Sequence, residues 1–271
     1  MILVFGDGLL GTHLCAKYRT DTILVSHKEC DITDARQVEN TILRIRPDVV
    51  VNAAGLVRNR GSVMHYLEVN AFAPFTIAEV CDRINCKMVQ ISTDCVFSGN
   101  RGFYTEQDEP DEVHDVYGWS KAQGEIYFAP HLTIRTSFIG LPDPKGRSLL
   151  GWLVRHPPGS VVPGYTNLLW NGLSTLVLSD CIVDLAYSHH SGIVHVFGQV
   201  VSKYDVLRTV VQEFRLPYEI QPMELLDPPN RTLRSIRAEI DCLPRPPSLR
   251  EMVQEMYKWQ PEIETYLKLR L

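Results

Sequence analysis

The sequence of 271 residues lacks a long apolar run, a basic cluster and any paired-cysteine motif. No stretch reaches the ~18 apolar residues that a membrane-spanning helix needs. The first apolar run has no basic segment before it, so we expect no signal peptide. The net charge is −5, which does not favour a nucleic-acid or membrane surface. These absences predict that neither nucleic acid nor a membrane is a partner.

The seven cysteines are odd in number and scattered, without zinc-type spacing. We therefore expect reduced thiols in a cytoplasmic protein, and no metal site. Hydrophobic residues make up 45% and charged residues 22% of the chain, as in ordinary globular proteins. The length suits one large or two modest domains. The cysteines are Cys15, Cys30, Cys81, Cys86, Cys95, Cys181 and Cys242.

A glycine-rich loop, Gly6-Asp7-Gly8-Leu9-Leu10-Gly11, follows the first apolar run. The run predicts a buried strand, and the residues after the loop can form a helix, which is the context of a dinucleotide fingerprint. Gly6 would allow the tight turn, Gly8 the approach of a pyrophosphate, and Gly11 close helix–strand packing. The helix N-terminus would offer N–H groups to the phosphates. A plain strand–turn–helix is the alternative.

Strands alternate with helical patterns through the first half of the chain. This alternation predicts an α/β fold with a Rossmann-type doubly wound parallel sheet. We expect an NAD(P)-binding Rossmann domain over residues 1–140. Residues 141–271 would form a smaller α/β substrate-binding region, interleaved with returning Rossmann elements. The predicted strands are Ile2–Phe5, Thr22–Ser26, Val49–Ala53, Lys87–Ser92, Leu132–Arg135 and Ile193–Phe197; the predicted helices are Gly11–Tyr18, Ala35–Ile45, Asn70–Ile84, Tyr117–Tyr127, Ser174–Ser188, Lys203–Arg215 and Ser248–Trp259.

Tyr117 and Lys121 stand one helical turn apart, and Thr93 follows an apolar run. An ammonium near the phenol would lower the pKa of Tyr117 from its ordinary value of about 10. The Thr93 hydroxyl could hold a substrate oxygen close to that phenol. The three residues predict acid–base chemistry on a carbonyl/alcohol pair.

These segments resemble the extended short-chain dehydrogenase/reductases, and among them the dTDP-4-dehydrorhamnose reductases and related sugar-nucleotide reductases. The resemblance implies that Thr93, Tyr117 and Lys121 form the catalytic triad. The chain departs from the family in a glycine loop one residue shorter, and in Phe138, where a Trp usually follows R-T-S. The matching segments are FGDGLLG, DITD, RPDVVVNAAG, VNAFAP, STDCVFSG, VYGWSKAQGE and RTSFIG.

The residues at the tip of the second strand should distinguish NADPH from NADH, because NAD sites usually place a carboxylate there. Ser26, His27 and Lys28 can instead donate hydrogen bonds or positive charge to a 2′-phosphate, which favours NADPH, with NADH possible and Glu29 weakening the case. Solvated loop residues are the alternative. The predicted cofactor contacts are Gly6, Gly8, Leu9, Leu10, Gly11, Ser26, His27, Lys28, Asp31, Ile32, Asn52, Ala53, Ala54, Gly55, Tyr117 and Lys121.

The segment Thr93-Asp94-Cys95 separates reaction types. Related 4,6-dehydratases commonly have Thr-Asp-Glu there and epimerases Ser-Ser, so the resemblance leaves simple carbonyl reduction. It implies NADPH-dependent reduction of the C4 ketone of a nucleotide-linked 4-keto-6-deoxysugar, in deoxysugar biosynthesis. Arg135 and Arg147 could bind a pyrophosphate bidentately or form surface ion pairs. The predicted substrate contacts are Asp94, Val96, Arg135, Phe138 and Trp170.

Two other functions remain open. The regulatory beta subunit of methionine adenosyltransferase resembles the same reductases, so the fold can serve as a non-catalytic partner. A sugar-nucleotide epimerase/reductase is the second alternative. We expect a monomer or weak homodimer, because the segment Tyr117–Tyr127, where extended relatives often pair, is short and soon meets Pro130.

Overall fold

The centre of the molecule is a sheet of six parallel strands in the order β2-β1-β3-β4-β5-β10. The computed structural model describes residues 1–58, 60–141, 148–237 and 245–270. The strands are β1 (Ile2–Phe5), β2 (Thr22–Val25), β3 (Val49–Asn52), β4 (Lys87–Ile91), β5 (Leu132–Arg135), β6 (Phe138–Ile139), β7 (Val161–Tyr165), β8 (Leu169–Trp170), β9 (Leu173–Ser174), β10 (Gly192–His195), β11 (Val201–Ser202) and β12 (Glu219–Met223).

Helices cover both faces of this sheet. A π-helical stretch, Leu67–Phe72, joins α3 to α4 without a break, and Asp94–Val96 forms a 3-10 turn after β4. The helices are α1 (Leu9–Lys17), α2 (Ala35–Ile45), α3 (Val63–Tyr66), α4 (Ala73–Arg83), α5 (Val116–Gln123), α6 (Leu149–Leu153), α7 (Thr175–Ala186), α8 (Lys203–Glu213) and α9 (Leu249–Arg270).

The apolar strands explain the two layers of helices. In β1, Ile2 and Val4 pack into a cluster with α1, α7 and α9, whereas Leu3 and Phe5 pack into a second cluster with α2 and α4. A strand that is apolar on both faces needs cover on both, which is typical of parallel α/β sheets. The predicted α/β fold with a doubly wound parallel sheet is confirmed.

The strand order places a ligand crevice at one edge of the sheet. The chain runs from β1 to β2 on one side and then crosses to β3 on the other side of β1. The carboxyl ends of β1 and β3 therefore meet at a topological switch point, where open α/β sheets bind their ligands. β2, β3 and β4 end at Val25, Asn52 and Ile91, so Ser26, Ala53 and Thr93 follow at the same edge.

Three predicted helix ends differ from the structure by about four residues or more. The helix expected from Asn70 begins at Val63, because the Ser62 side chain caps it by accepting from the His65 N–H. The helix expected to reach Tyr127 ends at Gln123. The last helix continues beyond Trp259 and contains Pro261 in its interior.

The second half of the chain contributes to the main sheet. β10 pairs with β5, and α7 packs against α1. β7 and β12 form a separate parallel ladder from Val161↔Glu219 to Tyr165↔Met223, while β8 pairs with β11. The division at residue 140 stays a prediction. No helix in the described ranges is both long enough and apolar enough to cross a membrane.

Candidate active site

The glycine loop leaves one open position between two crowded ones. Gly6 has φ +102°, and a Cβ there would lie 2.5 Å from the Ala54 nitrogen. A Cβ on Gly11 would lie 2.0 Å from the Gly6 carbonyl oxygen, so α1 packs directly on the loop. A Cβ on Gly8 would meet no protein atom within 4 Å, although Gly8 caps the N-terminus of α1. The space above Gly8 suits a phosphate held by a helix N-terminus.

A cavity of about 350 Å³ opens over this loop at the switch point. Its walls come from the carboxyl ends of β1, β2 and β3 and from the first turns of the α3–α4 helix. The small residues after β3 leave room between them. The lining residues are Gly6, Asp7, Gly8, Val25, His27, Cys30, Asp31, Ile32, Ala53, Ala54, Gly55, Leu56, His65 and Val69.

Leu10 and Asn52 do not face this cavity, contrary to prediction. Leu10 is buried in the core beneath α1. Asn52 is fully buried; its amide donates to Gln90 Oε1 (2.8 Å), and its carbonyl oxygen accepts from the Ala54 N–H (3.2 Å). Asn52 thus shapes the turn after β3, while its neighbours Ala53, Ala54 and Gly55 line the cavity. Leu9 is half-buried at the start of α1 and is not among the lining residues.

The Glu29 carboxylate at the tip of β2 affects the predicted NADPH site more than the sequence indicated. Glu29 Oε2 accepts hydrogen bonds from the Ser26 N–H (2.8 Å) and the Ser26 hydroxyl (2.6 Å). The Ser26 donors are therefore engaged within the protein. His27 lines the cavity and is exposed, with Nδ1 3.9 Å from Asp31 Oδ1, and Lys28 is exposed beside it. Positive and negative groups thus share this strand tip.

The π-helical stretch fixes the loop after β3 to α5. Asn70, in that stretch, accepts from the Leu56 N–H (2.8 Å) and donates to the Leu56 carbonyl (2.9 Å) and the Ser120 hydroxyl (3.0 Å). A Cβ on Gly124 would lie 1.9 Å from the Asn70 carbonyl oxygen, so α5 approaches this helix closely. Such π stretches often occur at functional sites.

Helix α5 delivers Tyr117 and Lys121 to the same edge of the sheet. Asp115 caps it by accepting from the Tyr117 N–H (3.2 Å). A Cβ on Gly118 would lie 2.0 Å from the Cys95 carbonyl oxygen, so only a glycine lets α5 sit against the turn after Thr93. The structure places Tyr117 against Thr93 and Lys121 against the end of β4, and the catalytic role of the three residues stays a prediction.

The surroundings of Tyr117 differ from those expected. Burial raises the pKa of Tyr117 well above its ordinary value, and the neighbouring Cys95 adds to the rise, whereas Thr93 and Arg58 lower it. The cation over the Tyr117 ring is Arg58, 5.7 Å from the ring centroid, with Nε donating to Asp115 (2.5 Å). The expectation that Lys121 supplies the charge next to the phenol is corrected, because its ammonium bonds elsewhere.

Lys121 is buried, and its Nζ donates to the Ile91 carbonyl (2.6 Å). Burial lowers the pKa of Lys121 to about 8, and Glu125 partly opposes this shift. Its Nζ also lies 3.8 Å from where a side chain on Gly55 would begin. The ammonium thus stands at the edge of the cavity.

Thr93 connects the phenol to an acidic neighbour. Its hydroxyl donates to Asp94 Oδ1 (3.1 Å) and accepts from the Cys95 N–H (3.1 Å). Burial raises the pKa of Asp94, while Lys203 and Arg231 favour its ionised form. Burial also raises the pKa of the Cys95 thiol to about 12, so that thiol is neutral at ordinary pH.

Two predicted substrate contacts are core residues. Arg135 is buried and binds Glu125 bidentately, Nε to Oε1 (2.9 Å) and Nη2 to Oε2 (2.7 Å), so its guanidinium is neither open to a pyrophosphate nor in a surface pair. Val96 is fully buried with Phe97 and Tyr104. Arg147 lies outside the described residues.

Phe138 and Trp170 adjoin Ser137, and their contact with a substrate stays a prediction. Phe138 is half-buried in β6. Trp170 is buried, its Nε1 donates to the Ser137 hydroxyl (2.9 Å), and Lys203 lies over its ring.

The sequence did not single out Lys203 or Arg231, because both are far along the chain from the triad. Arg58 follows the motif after β3, but the sequence does not indicate that its guanidinium lies over Tyr117. Arg231 pairs with Glu112 (3.2 Å) and donates to the Phe97 carbonyl (2.7 Å). No local pattern points to a residue that reaches the site only through the folded chain.

Comparison with known proteins agrees with this geometry. A family model described as RmlD substrate binding domain matches residues 1–156. The chain is 28% identical over 281 residues to the spore coat polysaccharide biosynthesis protein SpsK of Bacillus subtilis, covering 94% of this chain and 95% of that protein. It is 27% identical over 259 residues to a dTDP-4-dehydrorhamnose reductase of Mycobacterium tuberculosis, covering 87% and 82%.

A solved structure extends the likeness to the fold. The dTDP-4-dehydrorhamnose reductase of Bacillus anthracis, in complex with NADP, superposes with a TM-score of 0.82 at 19% identity, covering 95% of this chain and 98% of that one.

Proposed function

The chain belongs to the family described as RmlD substrate binding domain, and from that premise we propose that it reduces the C4 ketone of a nucleotide-linked 4-keto-6-deoxysugar with NADPH. One observation carries the proposal most strongly. Thr93, Tyr117 and Lys121 stand at the carboxyl end of the sheet, next to the cavity over the glycine loop. The relatives named above as dTDP-4-dehydrorhamnose reductases support the same reaction.

The residues fit a dinucleotide because of the open space above Gly8. The N-terminus of α1 would hold the pyrophosphate there, and Asp31 and Ile32 would contact the adenine end. Ala53, Ala54 and Gly55 would line the path towards the nicotinamide. When bound, NADPH supplies the hydride to C4.

The protein supplies the proton and the orientation. Tyr117 would donate its proton to the oxygen of the reduced carbon, and its raised pKa keeps it protonated before the reaction. Thr93 would hold the carbonyl oxygen against the phenol. Lys121 would bind the nicotinamide ribose from the edge of the cavity, and Arg58, over the Tyr117 ring, would attract the phenolate as it forms.

The test is NADPH oxidation with a panel of nucleotide-linked 4-keto-6-deoxysugars that differ in nucleotide base and ring configuration. We expect turnover with at least one member, and a 4-hydroxy product with the other stereocentres unchanged. A product inverted at a second carbon would favour the epimerase/reductase alternative. No oxidation with any member, together with tight binding to a methionine adenosyltransferase catalytic subunit, would favour the regulatory alternative.

The preference for NADPH rests on His27 and Lys28 at the tip of β2. The related structure with NADP supports this choice. Glu29 opposes it, because its carboxylate is bound to Ser26. Calorimetry with both cofactors measures the balance, and tighter binding of NADH would contradict the proposal.

For the assembly, we propose a monomer or a weak homodimer. α5 ends at Gln123, which shortens the helix that extended relatives often pair. Light scattering across protein concentrations tests this, and a dimer that persists on dilution would contradict it. Cysteines such as Cys30 and Cys95 are not in a disulfide, which supports the proposed cytoplasmic location, as does a biosynthetic substrate.

A further inference from the structure

Lys203 is a cation of the site that lacks an assigned role. Three other cations near the triad are already engaged: Arg58 pairs with Asp115, Arg231 pairs with Glu112, and Lys121 donates to a carbonyl. Among the residues that the structure describes, no acceptor forms a hydrogen bond with the Lys203 ammonium. The ammonium lies over the indole of Trp170, with Nζ 5.1 Å from the ring centroid. The ammonium is therefore available to a ligand.

The fold fixes the position of Lys203. It is the first residue of α8, whose N-terminus is closed by a reciprocal capping box between Ser202 and Asp205. The preceding strand β11 pairs with β8, which places Val201 opposite Trp170, and the Lys203 N–H donates to the Leu168 carbonyl (2.9 Å). The β8–β11 pairing and the capping box together fix the backbone at Lys203, so its side chain starts from a defined position.

The same construction brings Lys203 towards Asp94. Trp170 is anchored to Ser137, and the neighbouring Thr136 accepts through its carbonyl from the Asp94 N–H (3.0 Å). Lys203 interacts electrostatically with Asp94, yet no direct ion pair joins them in the described part of the chain. Lys203 and Asp94 are thus connected through Trp170, Ser137 and Thr136, which places the ammonium and the carboxyl group in one region of the site.

We propose that Lys203 and Asp94 bracket one hydroxyl of the substrate, the hydroxyl on the ring carbon next to the ketone. The ammonium would donate to the oxygen of that hydroxyl, and the hydroxyl would donate to the carboxylate. Because the Asp94 hydrogen bond also orients Thr93, the bracketed carbon lies beside the reacting one. This inference rests on the proposed function and assigns a specificity-determining residue to it.

The charges argue for a hydroxyl rather than the diphosphate of the substrate. A diphosphate placed against Lys203 would also approach the Asp94 carboxylate, and like charges repel at short range. A hydroxyl is both donor and acceptor, so it satisfies both partners at once. Sites built to hydrogen-bond a substrate hydroxyl discriminate strongly against an analogue that lacks it.

The experiment compares two substrates in matched variants. The substrates are the 4-keto-6-deoxysugar nucleotide that the wild type reduces best and its 3-deoxy counterpart. We expect the wild type to prefer the hydroxylated substrate by about 10- to 100-fold in kcat/KM, as for a hydrogen bond to a charged group. In Lys203→Met that preference should fall to within about threefold, with kcat/KM for the 3-deoxy substrate retained.

Two controls separate contact from structure. Lys203→Arg keeps the cation and should keep most of the preference, while Arg208→Met removes an exposed cation from the same helix and should leave it unchanged. Equal losses on both substrates in Lys203→Met would overturn the bracket and indicate a structural or diphosphate role. An unchanged preference would overturn it as well. If the wild type reduces no member of the panel, the proposed function itself fails, and the bracket with it.

Discussion

The cofactor crevice and the sugar side of the site are built from different materials. The centre of the crevice consists of the glycine loop, the small residues after β3 and a helix N-terminus, all in segments that follow a strand. The proposed sugar side consists of larger side chains, Asp94, Trp170 and Lys203, from distant parts of the chain. Recognition by backbone therefore leaves a local pattern in the sequence, whereas recognition by side chains depends on tertiary contacts.

The largest expected effect is on turnover and comes from Tyr117, which lies between the cofactor crevice and the proposed sugar side. Tyr117→Phe should lower turnover by about 10²–10⁴, because it removes only the proton donor. NADPH affinity should remain close to that of the wild type, since the cavity lining is unchanged. Steady-state kinetics and calorimetry measure the two quantities. Wild-type turnover in this variant would contradict the catalytic assignment while leaving the fold untouched.

Gly8→Val separates cofactor binding from folding. The new side chain enters space that holds no protein atom within 4 Å, so thermal unfolding should change little. Cofactor affinity should fall by about tenfold or more for each phosphate hydrogen bond that is blocked. Gly11→Ala is the matched control, because its Cβ would meet the Gly6 carbonyl oxygen at 2.0 Å and should destabilise the fold. Normal cofactor binding by a folded Gly8→Val would disprove the role of the loop.

His13 connects the first and second halves of the chain, and its protonation should weaken their contact at acidic pH. It lies on α1, is buried, and bonds through Nδ1 to the Thr175 hydroxyl of α7 (2.6 Å). Burial lowers the pKa of His13 from 6.5 to about 4. Between these values the unfolded chain binds the proton more readily, so stability is present above pH 6.5 and is lost as the pH falls towards 4.

The loss should approach ~1.4 kcal/mol for each pH unit in that window. His13→Gln should make this part of the profile less steep, measured by chemical unfolding at several pH values. His195, whose burial also lowers its pKa to about 4, should account for part of the slope that remains. His189→Gln, at an exposed position, is the control and should leave the slope as it is. An unaltered slope in His13→Gln would show that other groups cause the acid sensitivity.

The smallest effect concerns the tip of β2. Glu29→Gln removes a negative charge beside the expected 2′-phosphate position, and one such charge at ~4 Å costs about 1 kcal/mol in water. The ratio of NADPH to NADH affinity should therefore rise about fivefold. Calorimetry with both cofactors measures the ratio. A fall in the ratio would mean that Glu29 helps to hold NADPH, through its grip on Ser26.

The parts that could be predicted from sequence share one property, which is a period or spacing along the chain. The apolar runs of β1 and β3, the glycine loop and the Tyr117–Lys121 spacing all depend on neighbours within a few residues. The resemblance then connected them to a reaction. Arg135 was misassigned because its bidentate partner Glu125 is a tertiary contact, and a buried ion pair looks like a surface cation in the sequence.

Val96 and Lys203 also show that tertiary contacts cannot be seen in the sequence. Val96 lies in the most recognisable block of the chain but points into a core shared with Leu233, a residue much further along. Lys203 has no motif at all, and only the β8–β11 pairing brings it to Trp170. A prediction from neighbouring residues therefore assigned Val96 a substrate contact that it does not make, and it did not identify Lys203.

The π-helical stretch between α3 and α4 also has a consequence for insertions and deletions. In a π stretch the hydrogen bonds join residues five apart, whereas in an α-helix they join residues four apart. Each α-helical residue advances about 100° around the helix axis. A π turn holds one residue more than an α turn, so deleting one residue between Leu67 and Phe72 would restore a regular α-helix and keep α3 and α4 in phase. Inserting one residue would instead turn α3 by about 100° relative to α4, and Tyr66, whose hydroxyl donates to the Val57 carbonyl, would rotate away from the loop after β3. This wall of the cofactor cavity should therefore tolerate a deletion in the π-helical stretch better than an insertion.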